Sequence, residues 1–178
     1  MPLKGERLPH PSECELYIIN RDTLLSYKTS SEKFLFNLMS LFISSHYKNS
    51  PNDLQLLSDS PSHLIFVLLG PINKNGEGKV ELPDILCAVQ LALEGNLSKM
   101  SIKENSQRGI KPSGDLIPWN IREQFQNNEF PQLTGGRIVR IATHAKAVKM
   151  GYGSRALQLL ADFFEGKLIS MIKMLRCN

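Results

Sequence analysis

Residues 135–160 read "GGRIVRIATHAKAVKMGYGSRALQLL", and the fold turns on the order of the parts within them. Ile138, Ile141 and the small Ala142 lie among β-branched neighbours and predict a strand over 137–143, with Gly135-Gly136 marking the turn before it. A loop over 144–153 follows, and from about 154 to 165 the apolar residues recur at helical spacing. Arg155, Gln158, Asp162 and Glu165 form one narrow polar stripe on that helix, which is therefore expected to pack on a sheet with most of its surface buried. A strand, a glycine loop and a helix in this order bring backbone N–H groups and the positive end of a helix dipole to one point, a site for a phosphate or pyrophosphate. Gly151 and Gly153 let the main chain approach an anion closely, and Lys149 or Arg155 adds charge at the rim.

The rest of the chain supplies more strands and helices, an α/β pattern. "CELYIIN" (14–20) and "HLIFVLL" (63–69) are expected strands. "DILCAVQLAL" (84–93) fits a strand or a helix by periodicity, and its place after the turn-rich "PINKNGEGK" (71–79) favours a strand paired with 63–69. "SEKFLFNLMSLFISSHY" (31–47) predicts an amphipathic helix with Ser31 as N-cap, and "SPNDLQLLSDSP" (50–61) a short helix with Ser50 as cap and Pro51 in its first turn. Residues 96–114 are polar and expected to be loop with at most a helical turn, and "DLIPWNIREQF" (115–125) a short helix after Pro118.

With 178 residues, 42% hydrophobic and 21% charged, the chain is expected to form one globular domain. No apolar run approaches the roughly 18 residues of a membrane span. The charged, proline-bearing start lacks the apolar core of a signal peptide. Cys14, Cys87 and Cys177 are few and far apart, which fits idle thiols rather than a metal site. Residues 131–178 carry a net charge of +6 and residues 1–130 carry −2, so the basic end fits either a phosphate-bearing ligand or a solvated tail.

Three occupants of the loop compete. Gly151-x-Gly153-x-x-Ala156 matches a dinucleotide fingerprint, but no acidic residue follows Glu165 to meet a ribose. A tight turn that binds nothing is the second. The third comes from resemblance. "RIVRIATHAKAVKMGYGSRALQLL" resembles the acyl-CoA-binding core of the GCN5-related N-acetyltransferases (GNAT). Together with "LPHPSECELYIINRDTL", "SSHYKNSPNDLQLLSD" and "SGDLIPWNIREQF", over roughly residues 7–167, the chain resembles the RNA cytidine acetyltransferases.

That resemblance implies a GNAT-like mixed sheet flanked by helices, incomplete at the C-terminus, with 1–62 leading into the domain, 63–167 a partial N-acetyltransferase domain and 168–178 a divergent tail. It implies acetyl transfer from acetyl-CoA to N4 of cytidine in ribosomal and transfer RNA, driven by ATP in the full-length family, in the nucleus and nucleolus, with RNA as partner and neither metal nor membrane. Ile141, Ala142 and Thr143 would lie along the pantetheine and acetyl group, and Val148, Lys149, Met150, Gly151, Tyr152, Gly153 and Ser154 would wrap the pyrophosphate.

The chain also departs from the family. Val148 stands where Gln or Arg is usual, Lys149 where Gly is usual, and His144-Ala145-Lys146 where the loop begins His-Pro-Asp. Lys149 would strain the loop if that position needs positive φ, so weakened cofactor binding is expected. No G-x-x-x-x-G-K-S/T occurs within these residues, so the ATP module is not expected among them, and 168–178 is expected to be too short for the family's further strands. The expectation is a fragment, truncated isoform or decayed copy, impaired or inactive alone, with an exposed sheet edge. A non-catalytic interaction or RNA-binding fragment is the alternative. His144 is expected to cap the loop and Trp119 and Tyr152 to pack inside. His46 either lines a substrate cleft or ends a helix, and no residue is assigned as the catalytic base.

Overall fold

The computed structural model describes residues 8–45, 50–72, 83–109, 112–167 and 173–175. His46, Cys177 and most of the 71–79 connection lie outside the described residues. In chain order the elements are β1 (Glu15–Ile19), α1 (Arg21–Leu24), α2 (Thr29–Ser45), α3 (Pro51–Asp59), β2 (His63–Leu69), β3 (Ile85–Gly95), α4 (Lys99–Arg108), α5 (Leu116–Phe125), β4 (Thr134–Thr143), α6 (Tyr152–Phe164) and β5 (Lys173–Leu175).

The sheet runs β4-β3-β2-β1-β5, antiparallel from β4 to β1 and parallel between β1 and β5. It is the mixed sheet expected, and segment 1–62 contributes one of its strands. The apolar run at 84–93 is a strand paired with 63–69, Leu64 opposite Leu91 and Val67 opposite Ala88. Both runs are nearly continuous in apolar residues because each is covered on both faces. On one face α2 and α3 bury Phe34, Leu38, Phe42 and Leu57 against Tyr17, Ile65, Val67 and Ala88. On the other, α6 buries Tyr152, Ala156 and Leu160 against Leu16, Phe66, Leu68 and Val89. Phe163 meets the edge of Phe66 with ring centres 5.8 Å apart.

Five expectations need correction. Gly135 and Gly136 are not a turn before β4 but lie within it, paired with Glu94 and Leu93. Ser31 is not the cap of α2: the helix starts at Thr29, and the buried Ser31 hydroxyl donates to the Lys28 carbonyl at 2.8 Å. Residues 99–108 form a helix rather than a loop. Its ends carry their own signals, the Ser98 hydroxyl accepting from the Ser101 N–H and Gly109 closing the C-terminus at φ +62°. α5 begins two residues before Pro118, which tolerates its place because the first-turn N–H groups have no intrahelical acceptor. α6 is not mostly buried: only Tyr152, Ala156 and Leu160 are, whereas Leu157 and Phe164 are 41% and 47% exposed. A helix lying on one sheet face covers a single stripe, and the remaining apolar side chains stay in solvent.

Candidate functional site: the β4–α6 loop

β4 pairs with β3 alone among the described strands, so its outer edge is open. The His144 N–H closes the ladder on the Leu86 carbonyl at 2.9 Å. In an antiparallel pair the peptide groups alternate, so Thr143, the residue before, turns its own outward. Ala142 is buried opposite Ala88, and the Thr143 hydroxyl donates to the Cys87 sulfur at 3.7 Å. Cys87 and Cys14 are both buried free thiols.

The loop begins with one turn of 3₁₀ helix, Ala145–Ala147. The His144 Nδ1 accepts from the Lys146 N–H at 3.2 Å, the capping role expected of it. Val148 and Met150 are half-exposed. Lys149 sits at φ +63°, the left-handed region that a glycine would occupy without penalty. Gly151 follows at φ +90° and is the N-cap of α6, which starts two residues earlier than expected. The first intrahelical bond is Arg155 N–H to the Gly151 carbonyl at 2.9 Å, and a glycine cap offers no side-chain acceptor. The N–H groups of Tyr152, Gly153 and Ser154 therefore lead out of the helix toward the loop, at the positive end of its dipole. A Cβ on Gly153 would come within 3.4 Å of the Thr143 hydroxyl oxygen, so strand end and helix start meet closely.

The N-terminal segment supports the loop from beneath. Tyr152 is buried as expected, and its hydroxyl donates to the Pro9 carbonyl at 2.6 Å. A Cβ on Gly151 would lie 3.8 Å from the Pro11 ring. Burial and the Glu13 charge push the Cys14 thiol up to about 11, against the opposing pull of Arg155, so it stays protonated. The buried Nε of Arg155, in the first turn of α6, has no protein acceptor among the described residues.

The far end of β4 holds features that the sequence did not signal. The register with β3 passes from Gln90–Arg140 to Leu91–Ile138, leaving Val139 as the extra residue of a bulge. Arg140 is paired with Asp53 of α3 at 2.7 Å, and Gln90 contacts the His63 ring at 2.9 Å. Burial, aided by Arg137 and Arg21, lowers the His63 pKa and keeps the ring neutral at physiological pH. Arg137 Nε donates to Glu94 at 2.6 Å, and the other Glu94 oxygen accepts from the Ile117 N–H at 3.0 Å. Burial pushes the Glu94 carboxyl up, but these hydrogen bonds and the Arg137 charge outweigh it and hold it below the usual carboxylate range.

The structure thus brings Ile141, Ala142 and Thr143 to the mouth of one loop formed by Val148, Lys149, Met150 and Gly151 and closed by Tyr152, Gly153 and Ser154. Pro9, Arg137 and Glu94 were missed: Pro9 lies 143 residues from its partner Tyr152, and Glu94 lies 43 residues from Arg137. Among the described residues no group of His, Cys, Asp or Glu gathers as a metal site, and no helix is long and apolar enough to cross a membrane.

Residues 37–176 match the family described as GNAT acetyltransferase 2. The chain is 57% identical over 163 residues to an RNA cytidine acetyltransferase of Saccharomyces cerevisiae, the match covering 92% of this chain and 15% of that protein. It is 58% identical to an RNA cytidine acetyltransferase of Achlya ambisexualis (91% and 43% covered) and 55% identical to that of Mus musculus (89% and 15%). The chain therefore spans 15% to 43% of the length of these curated relatives.

Proposed function

The chain belongs to the GNAT acetyltransferase 2 family, and on that premise we propose that its β4–α6 loop holds acetyl-CoA for transfer to cytidine in RNA. One observation carries this: an open strand edge runs directly into a helix whose first N–H groups have no cap, across a loop with two residues in the left-handed region. A pyrophosphate suits the amides of Gly151 through Ser154, and Lys149 and Arg155 add positive charge beside it. An amide-bearing pantetheine arm suits the outward peptide groups of β4, with Ile141, Ala142 and Thr143 alongside, as a further strand would. Acetyl-CoA supplies a thioester whose acyl carbon accepts the nucleophile. The chain's own share is to fix the arm, to keep the acceptor amine close and to exclude water.

Cytidine N4 is a weak nucleophile because its lone pair is delocalised into the ring, so the base has to be drawn out of its stack and held. Ribosomal and transfer RNA are the proposed substrates, and a nucleolar location follows from the first of them. Calorimetric titration with acetyl-CoA tests the proposal, and absence of binding at millimolar ligand would overturn it. A purely RNA-binding role draws on the exposed Lys146 and Lys149. It requires affinity that falls steeply with salt and with neutralisation of those two lysines.

A further inference from the structure

A cleft of about 230 Å³ lies at the end of β4 remote from the loop, walled by Glu94, Pro118, Phe130, Gly135, Gly136 and Arg137. Its walls are tied together. The Gly95 N–H donates to Asp115 at 2.7 Å, Asn96 N–H to the Leu133 carbonyl at 2.9 Å and Leu97 N–H to the Pro131 carbonyl at 3.0 Å. Glu94 joins Arg137 of β4 to the Ile117 amide of α5. The cleft is thus preformed. Gly135 leaves it roomy, since a Cβ there meets nothing within 4 Å.

The polar pair inside is only partly used. Glu94 accepts from Arg137 Nε and from the Ile117 and Leu116 N–H groups, three of the about four hydrogen bonds a carboxylate can accept. Arg137 is engaged through Nε, and its terminal nitrogens have no partner among the described residues. An acceptor beside free donors, between the Phe130 ring, Pro118 and glycine backbone, matches a flat heterocycle that presents an amino group next to a ring nitrogen. Cytosine and adenine carry that pair, whereas uracil has no amino group.

Position separates this cleft from the acetyl group. Gly135 is eight residues before Thr143, about 26 Å along an extended strand. With the acetyl group alongside Ile141, six strand residues or about 20 Å separate it from Gly135, beyond the reach of the same base but within that of a nucleotide further along the same RNA strand.

We infer that the cleft bounded by Glu94 and Arg137 is a second base subsite, which takes an amino-bearing base of a nucleotide near the cytidine to be acetylated. This rests on the acetyl-CoA reading of the loop, and the test separates the two. The full chain, labelled with ¹⁵N, is titrated with cytidine, adenosine and uridine monophosphates and separately with acetyl-CoA. The expected result is that the cytidine or adenosine nucleotide shifts the amides of residues 134–137 at least fivefold more tightly than the uridine nucleotide, and acetyl-CoA shifts 148–154 without competing. Gly135→Val adds bulk at the cleft wall, where a Cβ meets nothing within 4 Å, so it is expected to keep the fold and the acetyl-CoA shifts and to lose nucleotide binding. Glu94→Gln, which exchanges one acceptor oxygen for an NH2 donor and removes the charge, is expected to bring the amino-bearing and uridine nucleotides to within twofold. Equal binding of all three by the unaltered chain, shifts confined elsewhere, or nucleotide binding unchanged in both variants overturns the subsite. Absence of loop shifts with acetyl-CoA while the 134–137 shifts persist overturns the cofactor assignment instead.

Discussion

Replacing Lys149 with glycine should make the protein more stable, although it removes a whole side chain. Lys149 is exposed and sits at φ +63°, so the change gives up no buried contact and relieves a left-handed backbone. A non-glycine residue in that conformation costs about 1–2 kcal/mol. Glycine returns about 0.4–1 kcal/mol of that through the greater freedom of the unfolded chain. The net gain is about 0.5–1 kcal/mol, or roughly 1–4 °C in Tm for a chain of this size. Thermal unfolding followed by circular dichroism measures it, with Lys149→Ala as the control. Alanine keeps the Cβ and the strain, so its Tm should stay within about 1 °C of the parent. Both variants lose the ammonium, so acetyl-CoA affinity should fall by a similar factor in each if Lys149 meets a phosphate. A lower Tm for Lys149→Gly, or an equal rise for Lys149→Ala, would refute the strain assigned to this position.

Gly153→Ala should fold with nearly unchanged Tm, because its new Cβ makes only a 3.4 Å contact with Thr143. Acetyl-CoA should nonetheless bind about tenfold more weakly, since the methyl stands where an anion approaches the amides. Tyr152→Phe removes the donor to the Pro9 carbonyl and should cost about 1–2 kcal/mol in urea unfolding. Hydrogen bonding to Arg140 holds the Asp53 carboxyl below its ordinary 3.8, and Glu94 lies below its ordinary 4.5. Their stabilisation is therefore complete above those ordinary values and is lost as pH falls through the depressed ones. Asp53→Asn should flatten that acid limb and leave the profile near neutrality parallel to the parent.

Much of the fold was legible because its central strands are short apolar runs set off by turn residues. The run at 63–69 is too short and too apolar for a surface helix, 84–93 fits either element by periodicity but follows a turn-rich segment that favours a paired strand, and 137–143 is rich in β-branched residues. The loop was legible for a different reason: its donors are backbone groups, placed by the order of strand and helix whatever the side chains at Val148 and Lys149. α4 was missed because only Ile102 is buried in it, so no apolar face announced it and the signals lay in Ser98 and Gly109. The burial of α6 was overestimated because a narrow polar stripe was taken to mean cover on every other side, and Leu157 and Phe164 show that it does not. The Glu94–Arg137 bridge and the Val139 bulge depend on register between strands distant in sequence, which local patterning does not encode.

The central claim is that the uncapped start of α6 and the open edge of β4 form a cofactor site. Titration of the ¹⁵N-labelled chain with acetyl-CoA tests it most directly. Saturable shifts at Gly151, Tyr152, Gly153 and Ser154, extending to Ile141–Thr143, are the expected result. Unmoved loop amides at millimolar acetyl-CoA, or shifts confined to other surfaces, would contradict it.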